Sequence, residues 1–130
     1  MTLVIDTSAA LAACLSDGFP HYRSERLVAP PLLWSELPSA LHEAMWRGEV
    51  TTANASRTVE RFERAPIRRR SHPRLVREAW RLADEFGWAK TYDAEFVALA
   101  RLLSCRLVTL DERLVRATER LGFVIGPADV

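Results

Sequence analysis

The chain has 130 residues, which is enough for one domain with a sizeable hydrophobic core, and we expect a single domain over residues 1–130. Its formal net charge of +1 excludes a strong overall field that would steer it towards a polyanion. Its N-terminus has no basic region and its longest uncharged run is residues 7–16, so we expect neither a signal peptide nor a membrane span, but a soluble cytoplasmic protein.

The first half of the chain alternates short apolar runs with helix-like segments. We predict a strand at 3–5, a helix from 7 or 8 to 15, a strand at 27–29, a helix from 32 or 35 to 47, and a helix at 52–65. Thr7 or Ser8 is the expected cap of the first helix. Pro38 suits the first turn of the next helix if Ser35 is its cap, but it should bend that helix if the helix begins at Leu32.

The second half continues the same alternation. We predict a strand at 67–70, a helix from 73 to about 87, a central helix at about 92–104, a strand at 107–110, a helix at 112–121 and a final strand at 123–125. The strand at 67–70 is charged and should lie near an edge of the sheet. Strands that alternate with helices indicate an α/β fold with a mostly parallel sheet and helices on both faces.

Four acidic residues fall near one edge of this predicted sheet, where parallel α/β folds bind their ligands. Asp6 and Asp111 directly follow predicted strands, while Glu36 and Asp93 begin helices. Each could be a helix cap or a surface charge. Together they would repel one another unless a cation neutralised them, and Mg²⁺ or Mn²⁺ suits an oxygen-rich site. Such a metal site is suited to phosphodiester hydrolysis, and the sequence has no phosphate loop, HExxH motif or nucleophile elbow.

The segments that contain these acids resemble a known family. They occur in the order Val4–Ala9, Ala29–Glu36, Thr91–Ala100 and Leu107–Asp111. Together they are similar to the PIN-domain ribonucleases, specifically the VapC-type toxins of bacterial toxin–antitoxin pairs. The Tyr-Asp-Ala motif followed by Val-Ala-Leu-Ala is the most specific part, and the resemblance covers essentially the whole chain. It implies an α/β/α sandwich and Mg²⁺- or Mn²⁺-dependent endonucleolytic cleavage of RNA.

By motif match, the resemblance assigns the same four acids to the catalytic and metal-binding site. Asp6 and Asp93 would be the principal metal ligands. Glu36 would act as a ligand or as a base that orients water, and Asp111 would be a ligand directly or through water. The family also implies a cognate antitoxin and a homodimer as partners.

Several neighbouring residues complete this expectation. Ser8 and Thr109 would hydrogen-bond the ligands or the scissile phosphate, as hydroxyl residues of the family do. Glu112 follows the last motif Asp directly and Arg116 lies one turn further on, which leaves the number of metal ions open. Glu43 shares a helix face with Glu36, but seven residues at ~1.5 Å each place it ~10 Å away, too far for the same ion.

A basic stretch runs from residue 61 to residue 81, with eight arginines and two glutamates. It could be a solvated face, a contact for RNA phosphates or a contact for an acidic partner, and the three readings stay open. Its candidate RNA-binding residues are Arg68, Arg69 and Arg70. The four tryptophans, if exposed, are candidates for protein contacts; they are Trp34, Trp46, Trp80 and Trp88.

Two alternative functions differ in class from a ribonuclease. A non-catalytic RNA- or protein-binding module would keep the PIN fold, but the presence of all four acids argues against it. A Mg²⁺-dependent phosphatase or dehalogenase would need a second Asp two residues after Asp6, where the chain has Ser8.

Overall fold

The computed structural model describes residues 1–130 and contains one sheet of five parallel strands. The strands are β1 (Thr2–Ile5), β2 (Arg26–Ala29), β3 (Ile67–Arg69), β4 (Arg106–Val108) and β5 (Val124–Ile125). Their order is β3-β2-β1-β4-β5, and every neighbouring pair is parallel. The central strand β1 is apolar from Leu3 to Ile5, and these residues are buried because helices cover both faces. The predicted parallel α/β fold is therefore confirmed.

Six helices surround this sheet. They are α1 (Thr7–Ser16), α2 (Leu33–Trp46), α3 (Thr52–Glu63), α4 (Leu75–Phe86), α5 (Tyr92–Leu102) and α6 (Glu112–Ala117). The chain crosses from β1 to β3 in one direction through α1, α2 and α3, and returns to β4 through α4 and α5. Because such crossovers are right-handed, the two groups of helices lie on opposite faces, which gives the predicted three-layer sandwich.

The central helix α5 has an apolar sequence because it is packed on several sides. It packs against α4 on one side and against β1 and β4 on the other. Its residues from Phe96 to Ala100 are all buried, and the alanines at 94, 98 and 100 let the neighbouring backbones approach closely. None of the helices is both long enough and apolar enough to cross a lipid bilayer.

Some element boundaries differ from those predicted. Helix α2 begins at Leu33, before Ser35, so Pro38 lies inside the helix and cannot donate a hydrogen bond to the preceding turn. Strand β4 ends at Val108, two residues before the predicted end, and the chain turns at Leu110 towards the cap of α6. Helix α4 begins at Leu75, so the predicted start at residue 73 was two residues early.

Candidate active site

Asp6 links the central strand to the first helix. Its backbone N–H donates to the carbonyl of Val108 at 3.2 Å, which continues the pairing of β1 with β4 beyond the end of the strand. Its carboxylate accepts a hydrogen bond from the N–H of Ala9 at 3.0 Å and so caps α1. The prediction that Thr7 or Ser8 caps this helix was wrong, because Thr7 and Ser8 already lie inside the helix and a carboxylate oxygen of Asp6 accepts from the free N–H of Ala9.

Two hydroxyl groups also hold the Asp6 carboxylate. Ser8 Oγ donates to Oδ1 at 2.7 Å, and Thr109 Oγ1 donates to Oδ2 at 2.5 Å. The side chain is nearly buried, and this burial raises its pKa above the usual 3.8, although the hydrogen bonds from Thr109, Ala9 and Ser8 oppose the shift. The charge of Asp93 raises the pKa further. Asp6 is therefore a fixed carboxylate that a nearby cation would stabilise in its charged form.

Glu36 lies in the first turn of α2, the helix that follows β2 after residues 30–32. Thr7 Oγ1 donates to its Oε1 atom at 2.7 Å and thereby ties the start of α1 to the start of α2. This contact joins residues 29 positions apart in sequence. Thr7 thus has a hydrogen-bonding role in the site that sequence reasoning missed, and its place beside Asp6 was the only signal available.

Asp93 and Asp111 both lie at helix starts. Asp93 is in the first turn of α5, and burial raises its pKa, with a further contribution from the charge of Asp111. The Asp111 carboxylate caps α6 by accepting from the N–H groups of Arg113 and Leu114. Its own N–H donates to Thr109 Oγ1 at 3.0 Å, so Thr109 connects the first and the last of the four acids.

All four predicted acids line one cavity of about 520 Å³ at the carboxyl edge of the sheet. Ser8 lines the same cavity, while Thr109 lies buried behind Asp6. No arginine, lysine or histidine is part of the lining. Arg113 pairs with Asp111 at 3.8 Å from outside the cavity, whereas Asp6, Glu36 and Asp93 form no ion pair within the chain. The hydroxyl groups and carboxylates leave oxygen atoms as the main polar groups facing the cavity.

Two further acids lie close to this group. Glu43, which we expected to lie too far from Glu36 for the same ion, lines the same cavity, where it is exposed and forms an ion pair with Arg47. Glu95 was not predicted; burial raises its pKa, and the charge of Glu36 adds to the shift. Because Glu95 is two residues from Asp93 on the same helix, sequence spacing gave no reason to place it beside Glu36.

The chemistry of these donors fits a hard divalent cation. The cavity lining offers carboxylate and hydroxyl oxygens, and Mg²⁺ and Mn²⁺ prefer oxygen ligands. The lining contains no thiol and no imidazole. No three His, Cys, Asp or Glu side chains lie close enough together to ligate one ion directly. The case for a divalent cation at this site therefore rests on the carboxylate charges that lack an ion pair and on the oxygen atoms of the lining. Water molecules would supply the remaining ligands, as is usual for Mg²⁺.

The candidate RNA-binding arginines lie apart from this cavity. Arg68, Arg69 and Arg70 lie on or directly after β3, the edge strand predicted from their charge, and two strand spacings from β1. All three side chains are exposed, and none forms an ion pair within the chain. The structure thus brings the four acids together, but separates them from the basic strand.

The fold and this arrangement of acids agree with a comparison to known families. The family model described as "PIN domain" matches residues 3–120. Ribonuclease VapC9 of Mycobacterium tuberculosis is 37% identical over 114 residues, which are 86% of this chain and 87% of that protein. The chain therefore belongs to the PIN-domain family, among the VapC proteins.

Two solved structures have the same fold. PAE2754 from Pyrobaculum aerophilum superposes with a TM-score of 0.78 at 26% identity, over 99% of this chain and 91% of that one. A toxin–antitoxin complex from Klebsiella pneumoniae superposes with a TM-score of 0.63 at 15% identity, over 96% and 97% of the two chains, and this likeness is one of fold alone.

Proposed function

We propose that this protein is an endoribonuclease toxin of a toxin–antitoxin pair, acting in the cytoplasm as one PIN-like catalytic unit over residues 1–130. The observation that most directly supports the chemistry is the cavity at the carboxyl edge of the sheet, which all four acids line without any basic residue. The relatedness to the VapC ribonucleases supports RNA as the substrate. A non-catalytic module is the less favoured alternative, because four carboxylates that repel one another in one cavity would destabilise such a module without serving a purpose in it.

In this proposal Asp6 and Asp93 are the principal ligands of Mg²⁺ or Mn²⁺, and Asp111 contributes directly or through water. The ion, when bound, would lower the pKa of a water molecule and screen the charge of the scissile phosphate. Asp6 suits its role because Ser8, Ala9 and Thr109 hold its carboxylate in one orientation. A fixed ligand loses little conformational entropy when the ion arrives.

Glu36 is the proposed base that orients the attacking water. Thr7 donates to one carboxylate oxygen of Glu36, which leaves the other oxygen free to accept a proton. Water would attack the phosphorus atom as the bond to the leaving ribose oxygen breaks, and that oxygen would take a proton from solvent. Ser8 and Thr109 would maintain the position of Asp6 during the reaction.

We assign two protein partners to this function, a cognate antitoxin and a second copy of the chain. Two of the four tryptophans, Trp46 and Trp80, are strongly exposed and available for such contacts. Trp34 and Trp88 instead pack against Phe62 and Phe86 in the partly buried shell. Light scattering of wild type and of W46A and W80A, with and without antitoxin, should show reduced association in at least one variant if these surfaces are used.

Cleavage of bulk RNA tests the proposed activity. Wild type should produce defined new RNA ends in the presence of Mg²⁺ or Mn²⁺ and none in EDTA. Asp93→Asn should lower the rate by at least about 100-fold, because it removes a charged ligand from the ion. Glu63→Gln, an exposed change away from the cavity, is the control and should retain the wild-type rate. Cleavage that persists in Asp93→Asn would contradict the proposed site.

A further inference from the structure

Three arginines share one face of the sheet beside β3. Arg68 is opposite Val28 in the parallel register and Arg26 is opposite residue 66, so alternation along the strands directs Arg26, Arg68 and Arg70 to the same side. Arg69 projects to the other side, where its guanidinium lies 4.9 Å from the centre of the Trp34 ring. The backbone N–H of Arg70 donates to Ala29 at 2.8 Å, which keeps Arg70 in register beyond the end of the strand.

These three side chains have no partner within the protein. All are exposed, and none forms an ion pair or a side-chain hydrogen bond. They line one open cavity of about 510 Å³, and Arg69 also contributes to its lining although its guanidinium lies over Trp34. The only acid in its lining is Glu25, whose carboxylate already faces the N-terminal amine at 3.6 Å and Arg106 at 3.8 Å. The cavity is therefore strongly positive.

The spacing of these arginines suits a linear polyanion. Positions two residues apart along a strand are separated by about 6.6 Å, which is comparable to the distance between successive phosphates of an extended single strand. Arg70 lies at the carboxyl end of β3, the same edge of the sheet at which Asp6 follows β1. Two strand spacings, or about 10 Å, separate β3 from β1, so one short RNA segment can reach both sites.

We propose that Arg26, Arg68 and Arg70, here called the arginine track, bind successive phosphates of a single-stranded RNA segment that leads away from the acidic cavity. This inference rests on the proposed ribonuclease function and deepens it, because it assigns a path to the substrate. The track would supply the attraction for RNA that the negatively charged cavity itself lacks. Its contacts are to phosphates, so it would position RNA without reading the sequence of bases.

Protection of an exposed sheet edge does not account for the whole track. Charged side chains on an edge strand prevent pairing with other chains, and Arg68 and Arg70 also serve that purpose. Arg26, however, belongs to β2, which is an interior strand flanked by β1 and β3. Its exposure next to the edge arginines has no role in edge protection, but it extends the row of phosphate-binding groups by one step.

Binding of a labelled oligouridylate of about 15 nucleotides tests the track without any need for cleavage. Fluorescence anisotropy is measured in EDTA over about 50–400 mM salt for wild type, R68Q/R70Q, R26Q and the control R64Q/R77Q. The slope of log K against log salt is negative, and each lost phosphate contact reduces its magnitude by about 0.7. We expect the magnitude of the slope to decrease by about 1.4 for R68Q/R70Q and by about 0.7 for R26Q. At 0.1 M salt, the double variant should bind the oligonucleotide at least about tenfold more weakly than wild type.

The control replaces two exposed arginines, Arg64 and Arg77, that have no ion pair and lie away from the track, and its slope should stay close to that of wild type. The proposal would be overturned if wild type and R68Q/R70Q had equal slopes. It would also be overturned if the control R64Q/R77Q lost as much slope and affinity as R68Q/R70Q. A variant that binds RNA normally but loses antitoxin would also overturn it and would assign the arginines to an acidic protein. Asp93→Asn should bind the oligonucleotide with the wild-type slope, so failure of the catalytic proposal leaves this test intact.

Discussion

Thr109 is the single side chain that joins the two ends of the acidic site. Its hydroxyl donates to Asp6 and accepts from the N–H of Asp111, and it is almost fully buried. Thr109→Val keeps the shape of the side chain but removes both contacts. We expect a loss of about 2 kcal/mol in the free energy of unfolding, since a hydrogen bond to a charged group is lost. Urea denaturation measures this loss, and RNA cleavage should fall with it.

Thr118 offers a matched control for this prediction. It is equally buried and follows the last residue of α6, where its hydroxyl donates to the carbonyl of Leu114 at 2.7 Å, and it does not line the acidic cavity. Thr118→Val should cost about 1 kcal/mol of stability and leave the cleavage rate unchanged. If both variants lose cleavage to the same extent, general destabilisation and not the position of Asp6 would explain the effect of Thr109.

Asp6 should also make stability depend on pH in the absence of metal. Its pKa is raised in the folded state above the usual 3.8, mainly by burial. Its contribution to stability is therefore complete below that value and is lost as the pH rises through the folded pKa. Asn at this position does not titrate, so Asp6→Asn should gain stability relative to wild type between acidic and neutral pH.

Urea midpoints in EDTA at several pH values measure this difference. Asp84→Asn, an exposed change on α4 without an ion pair, is the control and should parallel wild type at every pH. A constant difference between Asp6→Asn and wild type across the range would show that the Asp6 carboxylate has an ordinary pKa in the folded protein.

At the scale of the elements, helix α2 contains an energetic conflict. Pro38 lies in its interior and lacks the N–H that would donate to the carbonyl of Trp34. Pro38→Ala restores that donor, and because the position is exposed, the new side chain meets no packing constraint. We expect the free energy of unfolding to increase by about 1–3 kcal/mol, measured by urea denaturation. An unchanged or lower stability would mean that the helix is bent to suit proline.

The helices and strands were predictable where local patterns determine them. Apolar runs such as Leu3–Ile5 gave the strands, and the nearly continuous apolar sequence of α5 gave a helix packed on several sides. The ends were less accurate because tertiary contacts set them. Asp6 replaces Thr7 as the cap once β1 ends beside β4. The strand before Asp111 ends at Val108, although the N–H of Thr109 still donates to the carbonyl of Ile125 at 3.0 Å.

At the scale of the whole molecule, the sequence predicted which acids meet but not how they are held. The parallel order of strands brings Asp6, Glu36, Asp93 and Asp111 to one edge, which follows from the general rule for α/β sheets. The Thr7–Glu36 contact and the proximity of Glu95 to Glu36 depend on the relative placement of α1, α2 and α5. No spacing within one element encodes that placement.

The charge distribution of the molecule also becomes visible only in the folded chain. The net charge is only +1, but the folded chain has an acidic cavity and a separate basic face beside β3. Of the three track arginines, only Arg70 lies at the edge of the sheet where the acids lie, because β3 and β1 end at the same edge. This arrangement allows a nuclease to attract RNA with one surface and to concentrate cations at another.

Calorimetric titration of Mn²⁺ into antitoxin-free protein tests the central claim, a shared cation site formed by the four acids. We predict binding by wild type and by Asp84→Asn, and loss of binding in both Asp6→Asn and Asp93→Asn, each shown to be folded by circular dichroism. Binding that persists in both site variants would contradict the claim. So would the absence of binding to wild type at millimolar Mn²⁺, both alone and with an oligonucleotide present.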